Sequence, residues 1–182
     1  MGYYLYNDQI AVEGDDDSDG DIKTNANRAH AKGIILFDKT SAVWIIHSIP
    51  TYPTRPSSKK YGLDSSQSVY AQSMLCLTLP LSALSQVGTQ LKFAYPQYYD
   101  SFVPASLKSN PSLTNLNAVI TGDRVAKDPF YNIDTITTFE GNQFKMFHKN
   151  RAFGKDLYAD LVATTLNSPL FTETWSHGVG KN

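Results

Sequence analysis

The sequence predicts a mixed α/β or α+β fold class, because stretches with strand character alternate with stretches of helical spacing over much of the chain. The 182 residues are enough for one domain with a real core and too few for two well-formed ones. A hydrophobic content of 41% and an aromatic content of 12% are typical of folded globular proteins. We therefore expect one domain over residues 1–182.

The first third of the chain predicts strands separated by polar loops. The aromatic stretch "YYLYND" at 3–8 predicts a strand, and the acidic, glycine-containing stretch at 13–27 predicts a surface loop. Two β-branched runs, "GIILFD" at 33–38 and "AVWIIHS" at 42–48, are separated by a short polar segment and predict a β-hairpin. The proline-rich stretch "IPTYPTRPSSKKYG" at 49–62 predicts a further loop.

The centre of the chain predicts a strand, then a helix, then irregular structure. The apolar run "QSMLCLTLP" at 72–80 predicts a buried strand, in which Cys76 would be a buried thiol. Helical spacing of the apolar residues over 81–96 predicts a helix that ends at Pro96. Residues 97–132 are rich in Tyr, Asn, Ser and Pro, and they predict short pieces and loops.

The C-terminal part of the chain predicts a second strand pair and a second helix. "IDTITTFEGNQFKMFHK" at 133–149 predicts two strands joined at Glu140 and Gly141. "LFTETWS" at 170–176 predicts a final strand. Between them, residues 154–167 predict a helix whose apolar face consists of Leu157, Leu161, Val162 and Leu166.

The charge balance limits the partners that the chain can attract at neutral pH. Its 16 Lys and Arg residues and 17 Asp and Glu residues give a formal net charge of −1, so no bulk positive field is available to hold nucleic acid. Such a partner requires a local basic patch or acidic conditions, under which the four histidines add positive charge. Two basic clusters fit either a nucleic-acid contact or a solvated surface: Lys59 with Lys60, and Lys145 with Lys149, Arg151 and Lys155.

Other classes of function have little support in the sequence. No apolar run approaches the length needed to cross a bilayer, so we expect no membrane partner. The aspartates of the 13–27 segment lack the closing glutamate and flanking helices of a calcium-binding loop, so we expect no metal and no cofactor. Ser48 has no convincing base and orienting partner, which argues against a serine hydrolase.

The candidate for chemistry is the tripeptide His30-Ala31-Lys32, directly before the run at 33–38. Side-chain direction repeats every two residues in an extended chain, so His30 and Lys32 should point to the same side. That pairing suits a phosphodiester, because an imidazole can attack phosphorus or protonate a leaving oxygen. The ammonium can hold a non-bridging oxygen and offset charge in the transition state. The tripeptide alone is common, so the surrounding sequence must decide.

Two further residues are candidates for lining the site. His47 ends the second strand of the predicted hairpin, which returns it to the start of the first strand. It either lines or orients the site, or it is a structural histidine that bonds the proline-rich loop. Asn7 is the other candidate, although capping or turn formation is the favoured role for Asn7 and Asp8. The remaining histidines, His148 and His177, have contexts that favour surface or structural roles.

Several short sequence segments around the tripeptide, called words below, resemble segments of the deoxyribonuclease II family. They follow one another in that family's order. The words are "YLYNDQ", "HAKGIILFD", "VWIIHSIPTYP", "YAQSMLCLTLP", "QLKFAYPQYYD", "FHKNRAFGKDLYADLVATTL" and "TETWSHGVG". The resemblance covers nearly the whole chain. It rests on the order and spacing of these words and not on the tripeptide.

The resemblance implies one half of a two-half architecture similar to the phospholipase D fold. Each half would supply one His-x-Lys, and the two histidines would meet across one phosphate. One would form a covalent phosphohistidine and the other would act as general acid, in a metal-independent acid endonuclease that cuts DNA to leave 3'-phosphate ends. On this resemblance His30 is a catalytic histidine and Lys32 is its phosphate-binding partner. The implied location is lysosomal or secreted.

The sequence departs from the family in a way that bears on activity. The family's chains are longer and carry two His-x-Lys tripeptides, whereas His30-Ala31-Lys32 is the only instance in this sequence. In-line displacement needs groups on opposite sides of the phosphorus, so one histidine supplies half of a site. We therefore expect a domain that is incomplete at both ends. The resemblance also implies that Cys76 matches a disulfide-bonded cysteine of the family, whose partner would lie in the missing part.

Three alternatives stay open at this point. The chain is an N-terminal half that is active only with a complementing C-terminal half, and it then exposes apolar strand edges where missing strands should pair. Alternatively, it is a two-fold homodimer in which His30 of each copy faces the other. The third alternative is a catalytically inactive, secreted DNA-binding or host-interaction protein that keeps the scaffold.

Overall fold

The computed structural model describes residues 1–11, 22–24, 28–59, 67 and 69–172. Its strands are β1 (Gly2–Tyr6), β2 (Gln9–Ala11), β3 (Ile22–Thr24), β4 (Lys32–Phe37), β5 (Ser41–His47), β6 (Met74–Pro80), β7 (Tyr98–Phe102), β8 (Tyr131–Thr137) and β9 (Gln143–Lys149). The helices are α1 (Leu84–Ala94), α2 (Thr114–Ile120) and α3 (Thr164–Leu166). The predicted mixed α and β fold class is confirmed.

The centre of the fold is an antiparallel sheet of five strands in the order β6-β5-β4-β1-β7. β4 and β5 form the predicted hairpin, with Phe37 opposite Ala42 beside the turn and Lys32 opposite His47 at the other end. β2 pairs with β3, and β8 with β9, in two separate two-stranded sheets. The central sheet therefore places the ends of β1, β4 and β5 side by side, and the candidate residues lie at those ends.

The hydrophobic core joins the central sheet to helices α1 and α2. β-branched, aromatic and leucine side chains of the inner strands meet the apolar face of α1, where burial of each large side chain contributes roughly 1.5–3 kcal/mol. The fully buried members include Tyr4, Ile35, Leu79, Leu84, Val87, Leu91, Leu113 and Leu116. None of the described helices is long and apolar enough to cross a membrane.

The short pieces predicted over 97–132 include two regular elements whose type the sequence did not specify, β7 and α2. β7 forms the edge of the sheet beside β1. There the ring of Tyr98 lies 6.5 Å from that of Tyr4 and 5.6 Å from that of Tyr6, measured between centroids. Pairing and aromatic packing against a distant strand stabilise β7, and neither is visible in its local composition.

Strand β6 is an edge strand and not a buried one, so that prediction is wrong. It pairs with β5 on one side, and only its alternate residues Leu77 and Leu79 face the core. Met74, Leu75 and Cys76 are exposed. The prediction that Cys76 is a buried thiol is wrong for the same reason. An exposed apolar edge is the feature expected of a half that a further strand completes.

The predictions for the C-terminal part are borne out in part. β8 and β9 are the expected strand pair. A helix is present, but its first six residues, Tyr158–Ala163, are π-helical. The wider π turn changes which side chains share a face, so Leu161 is buried while Leu166 is exposed. Residues 170–172 form no strand.

Parts of two predictions lie outside the described residues. Residues 173–176 of the predicted final strand are among them, as are residues 13–21 and 25–27 of the predicted surface loop. The residues between those two loop segments, Ile22–Thr24, form β3 and not loop, because they pair in register with Gln9–Ala11.

Gly88 offers a test of how closely α1 and α2 approach. A Cβ built at Gly88 would lie 2.7 Å from the Cβ of Asn115 and 2.7 Å from the backbone N of Leu116. Replacement of a helical glycine by alanine normally stabilises by up to about 1 kcal/mol. Here we expect Gly88→Ala to lower the free energy of unfolding by about 1–3 kcal/mol, because the chain must shift to relieve the overlap. Chemical denaturation measures the change, and a stabilised variant would contradict the close contact.

Candidate active site

One carboxylate, that of Asp8, brings together the two residues of the His-x-Lys tripeptide. Its Oδ2 lies 2.5 Å from Nδ1 of His30, and its Oδ1 forms an ion pair with Nζ of Lys32. Asp8 follows β1 and Lys32 begins β4, which are antiparallel neighbours with Tyr6 opposite Gly33. Strand pairing therefore brings the carboxylate and the ammonium to the same end of the sheet.

The side chain of His30 comes near that of Lys32 in a way that differs from the predicted one. It lies in a bend before β4, where the backbone N–H of Ala31 donates to the carbonyl of Ala29 at 2.9 Å. Strand alternation therefore does not place His30 beside Lys32, and the extended geometry expected for the tripeptide is wrong at this residue. The shared contact with Asp8 brings the two side chains together instead.

The two residues differ sharply in exposure. The side chain of His30 is 85% exposed, whereas that of Lys32 is 4% exposed and that of Asp8 is 11% exposed. A hydrogen bond from Nδ1 of His30 to Asp8 leaves the opposite ring atom, Nε2, free to act as base or nucleophile. The imidazole is thus exposed at the surface, whereas the Lys32 charge is buried and paired with Asp8.

His47 lies opposite Lys32, as the hairpin predicted. Its Nδ1 accepts a hydrogen bond from the backbone N–H of Ile49 at 3.2 Å, and its ring contacts the edge of Tyr52. Burial, together with the charge of Lys32, lowers the pKa of His47 to about 4. The imidazole is therefore neutral well into the acid range. These contacts are those of the structural alternative, and a site-lining role for His47 stays a prediction.

Asn7 fixes the loop that follows β5. Its Nδ2 donates to the carbonyls of Ile49 and Tyr52, each at 3.1 Å, and its Oδ1 accepts from the backbone N–H of Gln9 at 3.0 Å. The side chain is buried and occupied by these backbone contacts. It holds the turn that carries Asp8, which matches the turn-forming role. Direct contact between Asn7 and a ligand stays a prediction.

Asp8 is the functional candidate that sequence reasoning missed. The pattern favours a turn residue there, whereas the structure makes Asp8 the shared acceptor of His30 and Lys32. The available signal was its place in "YLYNDQ", one of the words that resemble the family. Within the described residues, no group of three or more His, Cys, Asp and Glu side chains could hold a metal ion.

The other histidines do not join this group. His148 lies on β9, where burial lowers its pKa to about 4 and its Nδ1 finds no hydrogen-bond partner among the described residues. His177 lies outside the described residues. Of the candidate residues, the structure therefore brings together His30, Lys32 and His47. Asp8 joins them through its contacts with His30 and Lys32, and Asn7 holds the turn next to Asp8.

The family model for deoxyribonuclease II matches residues 1–182. The chain belongs to the deoxyribonuclease II family. It is 37% identical to deoxyribonuclease-2 of Caenorhabditis elegans, over 87% of this chain and 41% of that protein. It is 33% identical to plancitoxin-1 of Acanthaster planci, over 100% of this chain and 48% of that protein. It is 32% identical to deoxyribonuclease-2-alpha of Sus scrofa, over 99% of this chain and 47% of that protein.

The resemblance to deoxyribonuclease II seen in the sequence words is thereby confirmed. The chain spans about half the length of the curated relatives it matches. In this deoxyribonuclease II family member, the words "YLYNDQ" and "HAKGIILFD" meet at Asp8. The word "VWIIHSIPTYP" lies beside them through the hydrogen bonds of Asn7 and the pairing of His47 with Lys32.

The ion pair between Asp8 and Lys32 can be tested through stability. Asp8→Asn leaves the buried ammonium of Lys32 without its counter-ion, so we expect the free energy of unfolding to fall by about 3–5 kcal/mol. The matched control is Asp128→Asn, which changes an exposed aspartate, and for which we expect less than about 0.5 kcal/mol. Denaturant unfolding at neutral pH measures both. Equal losses in the two variants would contradict the ion pair.

The depressed pKa of His47 predicts how stability depends on pH. An unfolded histidine titrates at about 6.5, and His47 in the folded protein titrates at about 4. Between these values the unfolded chain binds a proton that the folded chain does not, so stability falls as the pH is lowered through this window. His47→Asn keeps an acceptor for Ile49 and cannot titrate.

We expect His47→Asn to reduce the slope of unfolding free energy against pH in that window. His148, whose pKa is also about 4, keeps the slope from vanishing. Denaturant unfolding of both proteins at several pH values between 4 and 6.5 gives the two slopes. Identical slopes would mean that His47 titrates normally in the fold.

Proposed function

We propose that this protein takes part in metal-independent hydrolysis of DNA phosphodiesters under acid conditions, as an endonuclease that leaves 3'-phosphate ends. The observation that carries the proposal is the exposed imidazole of His30, hydrogen-bonded to Asp8 above the buried charge of Lys32. DNA is the proposed substrate because the relatives include deoxyribonuclease-2 and deoxyribonuclease-2-alpha. The proposed location is lysosomal or secreted.

The chemistry proceeds in two displacements at one phosphorus atom. In the first, Nε2 of one histidine attacks phosphorus, a nitrogen–phosphorus bond forms, and the bond from phosphorus to the 5'-oxygen breaks. A second histidine on the opposite side gives its proton to that leaving oxygen. Water then attacks the phosphohistidine, the second histidine takes a proton back, and a 3'-phosphate is released. His30 fits either role.

Asp8 and Lys32 supply the charge that these steps need. An imidazole that bonds to phosphorus or carries a proton is a cation, and Asp8 stabilises it through Nδ1. Lys32 offsets the negative charge that gathers on the phosphoryl oxygens. Its ammonium lies beneath the imidazole and stays paired with Asp8 during these steps. His47, neutral in the acid range, lies opposite Lys32 and adds no competing charge.

The second histidine comes, we propose, from a complementing C-terminal half. Support comes from the length of the relatives, of which this chain covers about half. Further support comes from strand β6, whose edge exposes Met74, Leu75 and Cys76. A strand of the other half would pair there, and the exposed thiol of Cys76 would be available for a disulfide in an oxidising compartment. A two-fold homodimer is the alternative source of the second histidine.

The decisive experiment is plasmid cleavage at pH ~5 in the presence of chelator, with the purified chain alone and with a complementing half. We expect cleavage with the complementing half, and a loss of at least about 100-fold in His30→Ala. Lys39→Gln is the control, because Lys39 is exposed in the turn at the opposite end of β4.

Each other outcome contradicts a part of this proposal. Cleavage by the chain alone that depends on His30 would favour the homodimer over the complementing half. Cleavage that survives His30→Ala would remove His30 from the site. Absence of cleavage under every condition, with the protein folded, would favour the catalytically inactive DNA-binding alternative.

A further inference from the structure

A second cationic feature lies beside His30, at the C-terminal end of α1. Tyr95 follows the helix, and its ring is approached by two guanidinium groups. The central carbon of Arg28 lies 3.7 Å from the ring centroid, and that of Arg124 lies 5.2 Å from it. A guanidinium over the face of an aromatic ring is attracted to it electrostatically. The ring of Tyr95 therefore holds two arginines from distant parts of the chain in one place.

A pocket of about 520 Å³ opens beside this ring, lined by residues 94–95, 124–125 and 150–152. Hydrogen bonds tie the three segments together. The backbone N–H of Val125 donates to the carbonyl of Lys92 at 3.3 Å, and Nδ2 of Asn150 donates to the carbonyl of Val125 at 3.4 Å. The backbone beneath the pocket is thus fixed, while Arg124 stays exposed at its rim.

The pocket is connected directly to the backbone that carries His30. The N–H of Ala29 donates to the carbonyl of Tyr95 at 3.3 Å. Arg28 lies two residues before His30, so the two Cα atoms are at most about 7 Å apart. DNA has one phosphate per ~3.4 Å of axis on each strand, so a strand with one phosphate at His30 has further phosphates within the distance that separates His30 from Arg28.

Among the described residues, no carboxylate is paired with the two guanidinium groups that approach Tyr95, those of Arg28 and Arg124. The carboxylate next to Arg124 in sequence, Asp123, is paired with Lys92 at 2.8 Å. Two guanidinium groups beside an aromatic ring and an amide side chain are the groups that bind phosphate and stack on bases.

We propose that Arg28, Arg124 and Tyr95 form a subsite for a DNA phosphate that flanks the one bound at His30. This inference rests on the proposed function above, and it extends the site from one phosphate to a strand. Of the predicted basic cluster, Arg151 lines the pocket, whereas Nζ of Lys149 donates to the carbonyl of Lys155 at 2.8 Å. Lys60 of the other cluster lies outside the described residues.

Binding of a labelled DNA oligonucleotide tests the subsite without any need for cleavage. The His30→Ala protein serves as background, and fluorescence anisotropy is measured at several salt concentrations. We expect Arg124→Gln in this background to weaken binding about fivefold to tenfold and to reduce the slope of log K against log salt by about 0.7–0.9, which is the loss of one phosphate contact. Lys39→Gln removes the same charge at the far end of β4, and we expect it to change neither quantity.

Three outcomes would overturn the subsite. One is an equal effect of Arg124→Gln and Lys39→Gln, which would indicate net charge alone. A second is a lower melting temperature of Arg124→Gln with unchanged DNA affinity and salt slope. That result would mean that the arginine only stabilises the C-terminal end of α1. The third is no measurable DNA binding. In contrast, an Arg124-dependent slope, together with no plasmid cleavage by the His30-containing protein in the presence of a complementing half, would support the subsite and contradict the proposed cleavage.

Discussion

The contact of Asp8 with both His30 and Lys32 is the interaction on which the candidate site depends. It requires the register in which Tyr6 lies opposite Gly33, because that pairing brings the end of β1 to the start of β4. A slip of one residue would turn each side chain to the other face of the sheet and separate the charges. Conversely, the buried ammonium of Lys32 is tolerated only with its carboxylate, so site and sheet stabilise each other.

Much of the central sheet could be predicted because its signals are local. The β4–β5 hairpin consists of two β-branched runs on either side of a short turn, and the position of His47 opposite Lys32 follows from that pairing. β7 and the edge position of β6 could not be predicted, because both depend on which strands lie beside them in space. The π-helical turns before α3 changed the expected apolar face for a similar reason, since side-chain spacing alone does not reveal an extra residue per turn.

The site was predictable in its residue types and not in its arrangement. His30 and Lys32 are recognisable as phosphodiester chemistry, but the tripeptide does not show that one is at the surface and the other is buried. The contacts of Asp8 with both residues could not be predicted, because Asp8 lies far from them along the chain and reaches them only through the β1–β4 pairing. The same holds for Tyr95, which meets Arg28 and Arg124 only after α1 has packed against the sheet.

Strand β6 has a consequence for how the protein behaves in concentrated solution. Its sequence, "MLCLTLP", contains no charged residue, whereas natural edge strands are commonly blunted by lysine or by inward-pointing charges. One of its carbonyls, that of Thr78, is covered by the N–H of Phe139 at 2.8 Å. On its outer side, β6 pairs with no other strand among the described residues, so its backbone groups there can pair with a further extended segment. We therefore expect this edge to promote self-association as the protein concentration rises.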